Sequence, residues 1–146
     1  MSVKEIDLIL KNEPGQLSLV SDILGSNGIS IIAFYAYSTG GEGGLKFIAN
    51  DPDRAITVLQ SRGYKMGVAE VIACETPNHP GGFNAILKSL KEAGINLDYV
   101  YPCLSGQTAN GTAILILGVA FQGRGKTLSI LRENWINVVD EDLYRS

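Results

Sequence analysis

The chain repeats itself, and this restricts its fold more than any other property of the sequence. Displaced by 66 positions, Asn12-Glu13-Pro14-Gly15 falls on Asn78-His79-Pro80-Gly81. Leu24 falls on Leu90, Gly28-Ile29 on Gly94-Ile95, Ile31 on Leu97 and Tyr35 on Tyr101. Further along the displacement becomes 72, with Ile56 on Leu128 and Leu59 on Leu131, so six residues are inserted between the matched stretches. The loop and strand from Ser105 to Gly123 can absorb them. A lone Pro-Gly match could arise by chance. One that extends through an apolar pattern of this length points to two copies of a folding unit.

Each copy carries the same order of elements. Ile6, Leu8 and Leu10 alternate, which predicts a strand over Val3 to Leu10. Asn12 to Gly15 is a turn. Leu17, Val20 and Leu24 have helical spacing, and Gly28 is a natural C-terminal stop. Ile29 to Ser38 is rich in β-branched and aromatic residues, as strands are. The glycine-rich Gly40 to Gly44 reads as a hairpin loop before a strand over Leu45 to Ala49. Asp51-Pro52 is a cap followed by proline at the first helical position. That helix runs to about Arg62, and a final strand follows Tyr64. The second copy starts near Val71 without a linker. It has strands at Val71 to Glu75, Ile95 to Leu104, Thr112 to Phe121 and Ile136 to Val139, with helices at Gly81 to Ala93 and Gly125 to Asn134. Trp135 reads as a core residue at a junction.

The β-α-β-β-α-β order predicts an α+β fold of two ferredoxin-like units in tandem, residues 1–70 and 71–146. Right-handed crossovers put both helices of a unit on one face of an antiparallel sheet. Units near 70 residues are marginal alone. The halves are therefore expected to pack together, and the chain to form a homodimer. The motive is the apolar odd-numbered side of Ile29 to Tyr37 and of Ile95 to Cys103. The alternative is that these sides are ordinary helix-facing core, but the even-numbered residues include Ile32, Phe34 and Val100, so one of the two faces needs other cover.

Composition excludes several classes of function. Of 146 residues, 45% are hydrophobic and 18% charged, a globular balance. The net charge is -3 with no basic stripe, which argues against nucleic-acid binding. The longest apolar run, Ala113 to Phe121, is far short of the ~20 residues of a membrane helix. Lys4, Glu5 and Asp7 interrupt the first apolar stretch, so this stretch is not expected to be a signal-peptide core. Cys74 and Cys103, without a CxxC spacing, read as reduced thiols of a cytoplasmic protein.

The repeated Asn-x-Pro-Gly lies where the first strand of each half meets the first helix. Amides at a helix start favour an anion such as a carboxylate. Asparagine offers both a donor and an acceptor. Together they suit the two ends of an amino-acid zwitterion. The plain alternative is a strand-to-helix turn, for which the same residues are common.

In this order, and twice over, Asn-x-Pro-Gly, a helix and then Gly-Ile-Ser or Gly-Ile-Asn make the chain resemble two ACT domains in tandem, over nearly all of residues 3 to 144. The resemblance is to short stand-alone pairs with no catalytic domain attached. It implies a non-catalytic regulatory module that binds a free amino acid at an interface between domains and signals to a partner in amino-acid metabolism, with no cofactor and no metal. Carried over, the contacts are Asn12, Glu13, Pro14, Gly15 and Ser30 in the first half. In the second they are Asn78, His79, Pro80, Gly81 and Asn96. Leu17, Phe83, Ile31 and Leu97 would form apolar walls. A histidine common in the family two residues before the loop asparagine is replaced by Leu10 and Thr76. Glu13 would repel a carboxylate if it pointed inward, which favours the second half as the better site.

Rival signals are weaker. Gly123-Arg124-Gly125-Lys126-Thr127 invites a phosphate-loop reading, but Ala120 stands where that motif needs glycine. His79 is the only histidine, and a zinc site would need it to meet Cys74 and Cys103, which lie on strands that are not neighbours. Asp140-Glu141-Asp142 reads as a solvated acidic end. Two other functions fit the fold. An acyl-phosphate hydrolase type of enzyme wants an arginine in the first strand-helix loop, which neither copy has. A ligand-free oligomerisation module would use the loops only as turns.

Overall fold

The computed structural model describes residues 3–77, 79–104 and 112–145. They form two compact units, one built on Lys4–Glu70 and one on Val71–Leu143, with Val3 counted in the second and Tyr144 in the first. The expected loop at Ser105 to Gly111 and the candidate Asn78 lie outside the described residues.

The first unit runs β1 (Val3–Lys11), α1 (Gln16–Ser26), β2 (Ile31–Thr39), β3 (Glu42–Ala49) and α2 (Pro52–Ser61). It ends in the first residues of β4 (Met66–Pro77). The β1 strand pairs antiparallel with β3, and β3 with β2. The Ile9 amide donates to the Lys65 carbonyl on the other side of β1. One core fills the space between both helices and a single sheet face. Ile6, Leu8, Leu10, Leu45 and Phe47 meet Val20, Leu24, Ala55 and Leu59 there. The alternation read in β1 therefore marks a real inside and outside. As expected, Asp51 caps α2, its side chain accepting from the Arg54 amide, with Pro52 following.

The second unit repeats the plan. The rest of β4 pairs with β6 (Thr112–Gly118) and with β7 (Val138–Val139), and β6 pairs with β5 (Tyr99–Pro102), all antiparallel. Helices α3 (Gly82–Glu92) and α4 (Arg124–Glu133) cover one face through Ile86, Leu90 and Leu131, packed on Ile72, Cys74 and Leu117. Cys74 on β4 and Cys103 beyond β5 are separated by β6, as expected. Both are free and buried. Burial pushes the Cys74 thiol up to about 12 and the Cys103 thiol up to about 11, so neither is nucleophilic at neutral pH.

Among the described residues the α-helices α1 to α4 end alike. Gly28, Gly63 and Gly94 adopt φ of 70°, 81° and 71°, and the next residue's amide returns to the helix, as in Tyr64 to Leu59. At the end of α4 the same bonds form, Trp135 to Arg132 and Ile136 to Leu131. Here the left-handed position is held by Trp135, at φ 61°.

Several sequence expectations need correction. Trp135 is not core; it is 95% exposed, because a side chain at this helix stop projects away from the packed face. The strands read separately before and after Val71 are one strand, Met66–Pro77, since no turn residue interrupts them. Ile95 to Leu104 is strand only from Tyr99 to Pro102, and Thr112 to Phe121 ends at Gly118 before a 3-10 turn at Phe121–Gly123. The odd-numbered residues of β2 do not share one face. A bulge between Ile31 and Ala33 shifts the register. Ile31 packs into the helix-covered core. Beyond the bulge Tyr35 pairs with Lys46 and Tyr37 with Gly44, on the opposite face.

That helix-free face of the first sheet is partly polar. Lys46 Nζ donates to Asp7 Oδ2 at 2.8 Å and lies 5.9 Å from the centre of the Tyr37 ring. Asp7 Oδ1 is buried with no hydrogen-bond partner. Burial lowers the Lys46 pKa, but the hydrogen bond and charge of Asp7 outweigh it and the net shift is upward. The Tyr37 ring lies flat over Gly44, in space that a β-carbon would fill, and Tyr99 covers Gly118 in the second sheet in the same way.

Candidate functional site

Both Asn-x-Pro-Gly turns open a helix with glycine at the N-cap. Gly15 has φ 88° and ψ -6°, and Gly81 has φ 80° and ψ -7°. The left-handed conformation explains the glycine, since an L side chain there is strained. A β-carbon would meet nothing within 4 Å at either position, so the space beside each backbone is open. No side chain caps either helix. The Gln16 amide returns to Glu13 and the Leu19 amide to Gly15, and the Gly82 amide returns to His79. The remaining first-turn amides have no capping group and carry the positive end of the helix dipole.

Beside the first of these corners lies a cleft of about 270 Å³. One wall is the end of β1 and the turn, Leu10 to Glu13. Gln16 and Leu17 on α1 form a second wall. The third is the end of the β2–β3 hairpin, from Ala36 to Ser38 with Gly43 and Gly44. The Asn12 side-chain amide donates to the Gly40 carbonyl and its backbone amide to Gly41, which ties the turn to the hairpin. One of the two side-chain N–H donors is thereby committed, and the asparagine oxygen is left as an acceptor. Lys11 and Glu13 both line the cleft. Neither takes part in the ion pairs Lys4–Asp53 and Lys46–Asp7. The cleft thus holds one cation and one anion that are not used by the fold.

Of the sequence candidates, Asn12, Glu13 and Leu17 line this cleft, and Pro14 and Gly15 form the turn beside it. Ser30 and Ile31 are at the other end of the unit. Leu10 lies opposite Gly43, whereas Ile31 lies opposite Ala49. Ser30 is exposed, with its amide donating to Asn50 Oδ1. In the second half Pro80 and Gly81 are exposed, and the Nδ1–H of His79 donates to the Pro80 carbonyl at 3.0 Å. Phe83 is 39% exposed on α3, Asn96 is exposed, and Leu97 packs on its own core. The position two before each loop asparagine points inward in both halves. Leu10 is core, and the buried Thr76 hydroxyl donates to the Gly82 carbonyl.

Sequence reasoning did not single out Lys11, Gln16, Ala36, Tyr37 or Ser38. The available signal was the alternation after Leu10, which places Lys11 at the strand end. The hairpin contribution depends on tertiary pairing and left no local trace. Among the described residues no three His, Cys, Asp or Glu side chains group as a metal site, and no helix is long and apolar enough to cross a membrane.

Two ferredoxin-like units, each opening on an uncapped, glycine-started helix, define a class of small tandem modules. The chain belongs to the ACT domain pair family, which it matches over residues 1–145. Among solved structures, a protein from Bacteroides thetaiotaomicron is similar at 24% identity and a TM-score of 0.88, covering 100% of this chain and 98% of that one. The ligand-free regulatory subunit of aspartate kinase from Thermus thermophilus is similar at 13% identity and a TM-score of 0.64, covering 92% of this chain and 94% of that one. The corresponding subunit from Thermus flavus is similar at 12% identity and a TM-score of 0.59, with the same coverages of 92% and 94%. At these identities the likeness is one of fold. No curated protein matches the chain.

Proposed function

We propose that this ACT domain pair, residues 1–70 and 71–146, is a non-catalytic regulatory module of the cytoplasm. It binds a free amino acid where two ACT domains meet and signals to a partner in amino-acid metabolism. The observation that carries the reading is the cleft at the start of α1, with an uncapped helix end, an unpaired cation and an unpaired anion around one opening. Lys11 and the first-turn amides suit the ligand carboxylate. Glu13 and the Asn12 oxygen suit its ammonium group. Glu13 then contributes to binding. Because Ser30 lies at the far end of the unit from Asn12, a ligand that touched both kinds of contact would draw them from two different domains. The same reasoning assigns Asn78, His79, Pro80, Gly81 and Asn96 to an equivalent site.

Ligand that binds only the assembled arrangement stabilises it by mass action. The chain acts as a homodimer in this reading, and the exposed Ile9 and Tyr35 of the first sheet supply apolar surface for the contact. Equilibrium sedimentation tests it; a monomer at micromolar concentration would contradict the dimer. The ligand is tested by melting temperature against each of the twenty free amino acids. A selective rise is expected, lost in Gly15→Asp or Gly81→Asp according to the site used. A flat response to all twenty would end the proposal.

A further inference from the structure

Trp135 plays no part in the binding reading so far. The displacement of 72 that relates the later parts of the two copies places it on Gly63. Both residues hold the left-handed position after a helix, Gly63 at φ 81° and Trp135 at φ 61°. Glycine adopts this conformation freely, whereas a bulky side chain is strained there. The indole is 95% exposed, so no burial offsets the strain. A strained residue from which folding gains nothing points to a role in binding.

The strand register brings Trp135 to the turn that opens α3. The Glu75 amide donates to the Asn137 carbonyl at 2.9 Å, and Val138 on β7 lies opposite Cys74 on β4. Continued toward the turn, this antiparallel register sets Trp135 level with Pro77, the last residue of β4. Pro77 in turn abuts the helix start, because its carbonyl occupies the space that a β-carbon on Gly82 would need. Phe83, in the first turn of α3, is 39% exposed. Its counterpart in the first copy is Leu17, which lines the cleft there. The second corner therefore presents two exposed aromatic residues where the first has Leu17 and Gly63. We infer that Trp135 is a contact residue of the second copy's site, its indole lying against an amino acid held at His79 to Gly81. This rests on the amino-acid reading above. An indole offers a large, rigid contact surface, and its face also attracts an ammonium group. Gly63 offers no side chain, so the two sites of one chain are not equivalent.

Trp135 is the only tryptophan, so its emission reports on this corner alone. The melting temperature of the intact chain is measured with each of the twenty free amino acids. Emission and sedimentation are then followed as each one other than tryptophan is titrated in. At least one amino acid that raises the melting temperature should shift the emission to the blue, saturably. Calorimetry should show Trp135→Gly binding that amino acid roughly ten-fold more weakly, the scale of one aromatic contact. Trp135→Phe should keep most of the affinity. Because Trp135→Gly also relieves the strain, the unliganded variant should melt higher while it binds less, a split that a merely structural role would not produce. An unchanged emission, or unchanged affinity in Trp135→Gly, would overturn the inference and leave the amino-acid reading to the cleft of the first copy. An emission shift that follows association of copies without any amino acid would assign the indole to that contact and overturn it as well. If none of the twenty raises the melting temperature, the inference falls together with the reading beneath it.

Discussion

At the residue scale, backbone geometry explains several glycines and one exception. Gly15 and Gly81 sit at φ near 80–90° with open space around them. Gly15→Ala should therefore cost about 1–2 kcal/mol from conformation alone. Gly82 is constrained differently. Its β-carbon would lie 2.2 Å from the Pro77 carbonyl oxygen, a backbone atom that has no room to yield. Gly82→Ala should cost more than Gly81→Ala in urea unfolding, and the reverse order would show that this helix start is looser than described. Trp135 is the opposite case, a bulky residue in the left-handed position of a helix stop and nearly fully exposed. Trp135→Gly should stabilise the chain by roughly 1 kcal/mol. A loss of stability would mean that the indole is engaged by something in solution.

At the element scale, the buried thiol of β4 gives a pH signature. Burial pushes the folded Cys74 thiol up to about 12, from the 9.0 of an ordinary thiol. Above pH 9 the unfolded chain loses this proton while the folded chain keeps it, so stability falls as pH rises from 9 toward 12. Cys74→Ala should be less stable at pH 7, through the cavity it leaves, and should lose less between pH 9 and 11. Equal alkaline losses in both proteins would rule out Cys74 as the source. Much of this level was legible in the sequence. Ile6, Leu8 and Leu10 alternate because one sheet face is buried, and Asp51-Pro52 marks a helix start by capping chemistry. What was not legible depended on partners distant in sequence. The bulge at Ile31–Ala33 reverses which β2 residues face the helices, and it exists only against β3. The turn residues of the candidate site were readable from their repetition, whereas its hairpin wall was brought in by tertiary pairing.

At the scale of the whole molecule, the repeat is what makes a binding function intelligible. The same glycine-started helix occurs twice with closely matching backbone angles, and a turn copied by duplication needs no ligand to explain it. The distinguishing observation is local to the first copy, where a cation and an anion unused by the fold share one cleft. The most direct measurement is therefore the set of backbone amide shifts in nitrogen-15 correlation spectra as an amino acid that raises the melting temperature is titrated in. The first-half site predicts saturable shifts concentrated at Lys11 to Ser18 and at Ala36 to Ser38. Saturable shifts that left both segments unmoved would contradict it.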